Sequence, residues 1–158
     1  MTRAGVGFDA HPFADGRTLV IGGVLMDHPR GLEGHSDGDV LSHAIADAIL
    51  GAAGLGDIGT HFPSTDERWR DASSTRFLAH VAAMVRDAGY GVGNVDGTVI
   101  CEEPPIAPFR EKMALSIAES LGVDASNVNV KATTSDGMGF TGRREGIAAI
   151  AVAVLESL

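Results

Sequence analysis

Asp9 and His11 stand two residues apart near the start of the chain, so on an extended strand over residues 3–11 they project to the same side. Gly5 and Gly7 fall on that side as well and leave room there. An aspartate and a histidine side by side, joined by one further ligand, make a set that leaves a fourth zinc position open to a substrate. His43 is the natural third member. It sits within GHSDGDVLSHAIADAILGAAGLGDIG, residues 34–59, which gathers two histidines and four aspartates around a helix start. Asp39, His43 and Asp47 recur every fourth residue, and a carboxylate one turn from an imidazole suits a metal ligand because it fixes the tautomer. Each feature also has an ordinary reading: His43 paired on a solvated helix face, or Asp9 closing a turn before Pro12.

A second stretch, KATTSDGMGFTGRREG at residues 131–146, follows directly from a strand. Its hydroxyls and two arginines could surround phosphate oxygens with donors, its glycines permitting close backbone approach. It lacks the spacing of a P-loop. The plain alternative is a glycine-rich turn whose arginines pair with Glu145.

Elements to hold these groups can be read from periodicity. Asp37 or Asp39 caps a helix over Val40–Leu50, with Leu41, Ile45, Ala48 and Ile49 as its apolar stripe and Gly51 and Gly54 as its end. A helix over Ser74–Ala88 buries Phe77, Leu78, Val81, Met84 and Val85; another buries Phe109, Met113, Ile117 and Leu121 and stops at Gly122. Strands are expected at residues 94–101 and 127–132, and LVIGGVLM, residues 19–26, reads as a glycine-interrupted strand forming a hairpin with the N-terminal segment. Residues 60–66 read as a polar loop, and His28 and His80 as solvated. Residues 146–155 are apolar on both faces and fit a strand or a buried helix.

At 158 residues the chain is expected to be one domain spanning 1–158. A formal charge of −9 argues against nucleic acid. No apolar run nears the roughly 20 residues that span a bilayer. The opening residues show no export signal, and the single cysteine, Cys101, fits a reducing cytoplasm.

GFDAHPF, IGGV, GHSDGDVLSHAIADAILGAAGLGDIGTHFP and NVKATTSDGMGFTGRREGIAA, in this order, resemble the 2-C-methyl-D-erythritol 2,4-cyclodiphosphate synthases, in register over nearly the whole chain. The resemblance favours a strand for residues 146–155. It implies an α+β sandwich, a mixed β-sheet with helices on one face, that assembles as a homotrimer with active sites between subunits. It implies one divalent metal per subunit, Zn2+, on Asp9, His11 and His43. A second cation, Mg2+ or Mn2+, would bind with the substrate diphosphate near Asp136, which stands where Glu is common. His35 and Thr134 become the pair that stabilises the transition state. Thr133, Ser135, Phe140 and Arg143 line the substrate together with Ser36, Ile58, Phe62 and Asp66. Asp57 and Gly59 hold methylerythritol hydroxyls. The loop containing Cys101, Pro104 and Ile106 holds cytosine mainly through its backbone. Pro105 replaces a common Lys, Ser64 a common Asp and Arg144 a common Gly.

The implied reaction is closure of 4-diphosphocytidyl-2-C-methyl-D-erythritol 2-phosphate onto its own β-phosphate with release of CMP. Two other readings use the same residues: a zinc phosphohydrolase, for which Asp57 is the only plausible base, and a binding module in which zinc merely braces the fold.

Overall fold

Thirteen residues at the start of the chain, Thr2–Ala14, form one long strand, β1. The computed structural model describes residues 1–158. Along the chain follow β2 (Leu19–Ile21), β3 (Val24–Met26), β4 (Gly31–Leu32), α1 (Val40–Ala53), α2 (Ile58–His61), α3 (Ser74–Asp87), β5 (Tyr90–Ile100), α4 (Arg110–Leu121), β6 (Val128–Thr133), α5 (Gly139–Gly142) and β7 (Gly146–Ser157). Five strands form a sheet in the order β4-β1-β7-β5-β6. β7 runs antiparallel to both its neighbours, whereas β5 and β6 are parallel, so the sheet is mixed and the architecture α+β.

The doubly apolar last segment is a strand because it lies at the centre of the sheet, with β1 and β5 filling both its edges. Alternate side chains, Ala149, Ala151, Ala153 and Leu155, are buried. Those between them, Ile150 and Val152, point away and line up with Phe8 and Val6 of β1. These four residues remain 40–64% exposed, an apolar patch on the sheet face opposite the helices.

Close approach of α1 to the sheet depends on small residues. A Cβ on Gly5 would lie 2.1 Å from the Ala48 carbonyl oxygen, and one on Gly7 1.9 Å from that of Ala44. Their register partners, Ala153 and Ala151, are equally slight. Leu41 of α1 reaches across to Gly97 of β5. The side of β1 that carries Asp9 and His11 is therefore the side pressed against α1.

Several expectations change. Gly22 and Gly23 turn the chain back on itself, so β2 pairs with β3 in a separate two-stranded sheet, and β4 is what pairs with β1. His28 is not solvated: its side chain is 7% exposed, stacks on Phe13 and contacts the Arg30 carbonyl at 2.9 Å. Helix α1 has no solvated polar face, since Asp39 and His43 are both buried, and it runs through Gly51 to a left-handed C-cap at Gly54. The loop after α1 also contains α2 and a 3-10 turn at Glu67–Trp69.

Candidate active site

Of the two acidic candidates for the α1 cap, Asp39 fills the position. Its buried carboxylate accepts from Ser42 N (3.0 Å), Ser42 Oγ (2.8 Å), Gly22 N (2.8 Å) and Gly23 N (2.7 Å), which ties the β2–β3 turn to the start of the helix. Burial, with Asp37 nearby, raises the Asp39 pKa, and the donors from Ser42 and Gly23 work against that rise. Asp37 instead caps the other helix, accepting from Ser74 N at 2.8 Å and from Ser74 Oγ. Arg17 donates to the carbonyls of Gly34 (2.9 Å) and Ser36 (2.6 Å) and so braces the segment that carries His35 and Ser36.

One turn into α1, His43 meets the Asp9–His11 pair. Oδ2 of Asp9 lies 2.7 Å from Nε2 of His11 and 3.2 Å from Nδ1 of His43, and those two nitrogens are 3.3 Å apart. Bonds of about 2.0–2.1 Å to a tetrahedral ion place its ligand atoms roughly 3.3 Å apart. Two of the three edges match, and the third needs only a small opening. Three donors from carboxylate and imidazole, with no cysteine among them, suit zinc with a vacant fourth position.

Beside this group lies a cleft of about 160 Å3 lined by His11, His35, Ser36, His43, Ile58, Phe62, Ser64, Trp69 and Phe77. The expected residues His35, Ser36, Ile58 and Phe62 thus meet the Asp9–His11–His43 group. Nε2 of His35 donates to the Asp66 carbonyl at 3.0 Å, which leaves Nδ1 as the nitrogen available to a ligand. The Asp66 carboxylate faces elsewhere: Arg68 holds it at 2.7 Å and lowers its pKa. Asp57 is exposed and caps α2 through Thr60 N (2.9 Å) and Thr60 Oγ1 (2.8 Å), bonds that hold its pKa below the ordinary value. Gly59 is exposed within α2.

The remaining candidates form a second group at the same end of the sheet. The Cys101 amide donates to the Thr133 carbonyl at 3.1 Å, so the loops after β5 and β6 leave the sheet side by side. Cys101, Pro104 and Ile106 are buried, while Thr133, Thr134, Asp136, Phe140 and Arg143 are exposed. Glu102 Oε1 accepts from the Ser135 and Gly137 amides, both at 3.3 Å. Arg143 pairs with Glu145 at 3.1 Å, as the plain reading supposed for both arginines, whereas Arg144 pairs with Glu103 at 3.5 Å. Arg144 adopts φ 59°, a backbone region that glycine enters at no steric cost.

His35 and Thr134 do not meet within one chain. β6 lies three strands from β1, roughly 14 Å at about 4.8 Å per strand. Asp136 likewise stands apart from the trio, its one side-chain bond being to the neighbouring Thr134. Spacing did not single out Trp69, Phe77, Ser74, Arg17 or Glu102 as parts of these sites. Trp69 and Phe77 could have been suspected as the bulky apolar side chains nearest the polar loop, but nothing local couples Ser74 to His43.

Comparison with known proteins gives a consistent picture. The model of the YgbB family matches residues 2–156. The chain is 56% identical over 156 residues to the 2-C-methyl-D-erythritol 2,4-cyclodiphosphate synthase of Azotobacter vinelandii, covering 99% of each. Its fold superposes on the bifunctional IspDF of Campylobacter jejuni with a TM-score of 0.96 at 42% identity, all of this chain matching 43% of that one. It superposes on the CDP complex of IspF from Plasmodium falciparum with a TM-score of 0.86 at 34% identity, over 99% and 96% of the two chains.

Proposed function

The chain belongs to the YgbB family, and from that premise we infer that it converts 4-diphosphocytidyl-2-C-methyl-D-erythritol 2-phosphate to 2-C-methyl-D-erythritol 2,4-cyclodiphosphate with release of CMP. It is a cyclising lyase of the non-mevalonate route to isoprenoid precursors. The observation that carries the mechanism is the convergence of Asp9, His11 and His43 beside a cleft.

In the reaction an oxygen of the 2-phosphate forms a bond to the β-phosphorus. The bond from that phosphorus to the bridging oxygen breaks, and CMP leaves with the oxygen. No water is consumed. The nucleophile is already an anion, so the barrier lies in repulsion between phosphates and in folding the substrate back on itself. A divalent ion held by Asp9, His11 and His43 would supply positive charge and an open position for a phosphate oxygen. The residues around it supply orientation. Arg17 holds the backbone that carries His35 and Ser36, and Ile58, Phe62, Trp69 and Phe77 keep one side of the cleft apolar. His35, with Nε2 committed to the Asp66 carbonyl, keeps Nδ1 for a ligand. Asp136 is an exposed carboxylate that could offer a ligand to a Mg2+ or Mn2+ ion bound with the diphosphate.

A homotrimer accounts for both the patch and the separation of the two groups of site residues. Val6, Phe8, Ile150 and Val152 would be covered by neighbouring copies, and the 133–143 loop of one copy would complete the cleft of the next. The solved Plasmodium falciparum relative holds CDP, which supports a cytidine diphosphate substrate and a cytosine site in the Cys101–Ala107 loop. The unbroken family match over residues 2–156 supports a single domain. No helix is long and apolar enough to cross a membrane, and we place the enzyme in the cytoplasm.

The hydrolase reading is left with a weak base, because Asp57 is exposed and its Oδ1 is engaged by Thr60 N and Oγ1. Phosphorus NMR of the purified protein with its cytidylyl substrate in 18O-water decides between the two. A cyclic diphosphate, equimolar CMP and no 18O in either product are expected. Labelled, ring-opened phosphate would overturn the synthase reading.

A further inference from the structure

We infer that Asp37 and Ser74 are positioning residues which set the tautomer of His43, keeping its proton on Nε2 so that the Nδ1 lone pair faces Asp9 and His11. The inference rests on the reading of Asp9, His11 and His43 as a metal site and names two residues outside that trio that prepare it.

The argument follows hydrogens one at a time. Asp37 receives three donors: the Ser74 amide on Oδ2 at 2.8 Å, the Asp39 amide on Oδ1 at 3.0 Å, and the Ser74 hydroxyl, also on Oδ1. A carboxylate that only accepts claims the single proton of Ser74 Oγ. Ser74 Oγ also lies 2.7 Å from Nε2 of His43, in a fully buried position. With its proton given to Asp37, the hydroxyl can engage His43 only as an acceptor, so Nε2 must carry a hydrogen. A neutral imidazole has one hydrogen, which leaves Nδ1 bare. Each tautomer leaves one repulsive contact: the Nε2–H form sets the Nδ1 lone pair against Asp9 Oδ2 at 3.2 Å, whereas the Nδ1–H form sets two lone pairs against each other across the shorter 2.7 Å.

Ser36 Oγ, 3.1 Å from the same nitrogen, is longer and has no carboxylate behind it, so it follows the choice made by Ser74. Ring orientation is held separately: Phe77 stacks on His43 with centroids 5.6 Å apart and planes 23° from parallel. Asp37 and Ser74 come from the segments preceding α1 and opening α3, so the arrangement also joins the two helix starts around the imidazole. A ligating imidazole whose far nitrogen is held in this way binds its ion in one orientation, and loss of such a partner typically lowers metal affinity by about 10- to 100-fold.

The test is a long-range proton–nitrogen NMR spectrum of the metal-free trimer labelled with 15N-histidine at a pH where histidines are neutral, paired with Zn2+ affinity measured against a competing chromophoric chelator. The wild-type protein should show His43 as the Nε2–H tautomer. Ser74→Ala should populate the other tautomer and weaken Zn2+ binding about 10- to 100-fold, Ser36→Ala should do less, and Ser74→Thr, which keeps the hydroxyl, should restore both. Should Ser74→Ala fail to fold, Asp37→Asn replaces it and is expected to weaken binding in the same sense. An Nδ1–H resonance for His43 in the wild-type protein overturns the inference. So does wild-type Zn2+ affinity in Ser74→Ala, which would leave the metal site itself standing. A wild-type protein that binds no Zn2+ yet shows the Nε2–H tautomer, lost in Ser74→Ala, would remove the metal reading and keep the role of Ser74.

Discussion

Nε2 of His11 lies 2.7 Å from Oδ2 of Asp9, two residues before it on the same strand. Burial works against a charged imidazole here, but the bonded Asp9 carboxylate outweighs it and holds the His11 pKa above its ordinary 6.5. Despite its own burial, Asp9 is drawn down to about 2, chiefly by its bond to His11. In the metal-free protein the stabilisation from the His11 proton is therefore complete below pH 6.5 and lost as pH rises through the raised value.

A divalent ion must displace that proton, so metal affinity should run the other way. Zn2+ binding measured by competition from pH 5 to 8 should strengthen with pH by at least about tenfold per unit in the acid range, levelling off once the ligand histidines are neutral. An affinity independent of pH would mean that His11 is not a ligand.

Gly7 admits no side chain. Its Cβ would sit 1.9 Å from a backbone oxygen of α1, so Gly7→Ala must push the helix away from β1 at a cost of about 3 kcal/mol and carry His43 out of reach of Asp9. Gly51, in the same helix but facing open space, is the contrast: Gly51→Ala should stabilise by about 0.5–1 kcal/mol. Chemical denaturation and Zn2+ titration of both variants check this.

The patch of Val6, Phe8, Ile150 and Val152 gives a prediction about assembly. Light scattering behind size exclusion should return three chain masses for the parent protein and one for Phe8→Glu, with activity lost alongside the trimer. A monomeric parent that turns over substrate would show that the site is complete within one chain.

Arg144 holds φ 59° where glycine would be at ease. Its pair with Glu103, 3.5 Å apart and exposed on both sides, offsets little of that strain. Arg144→Gly should raise the unfolding free energy by about 1 kcal/mol in urea melts without changing turnover.

Burial, aided by Glu102 and Glu103, pushes the Cys101 thiol from 9.0 to about 11. The thiol stays protonated in the folded protein, and the stability this confers is complete below pH 9 and fades toward about pH 11. Iodoacetamide at pH 8 should label Cys101 only after denaturation. Rapid labelling of the native protein would show the loop to be open.

Short-range periodicity made a good part of this molecule legible. Alternation along β1 put Asp9, His11, Gly5 and Gly7 on one side before any fold was known, the start of α1 was narrowed to Asp37 or Asp39, and Gly122 marked a helix end where it falls. The run of motifs made the family recognisable. Tertiary structure decided the rest. That β7 is a strand follows from having β1 and β5 on either edge, because an apolar run serves a buried helix or a central strand equally well. The same dependence on remote neighbours buried the polar side of α1, set His28 against Phe13, and placed Ser74 of α3 against Nε2 of His43. It also kept Thr134 three strands from Asp9 and His11. Backbone period dictates which way a side chain points, but its partners come from segments dozens of residues away, and only packing brings them together.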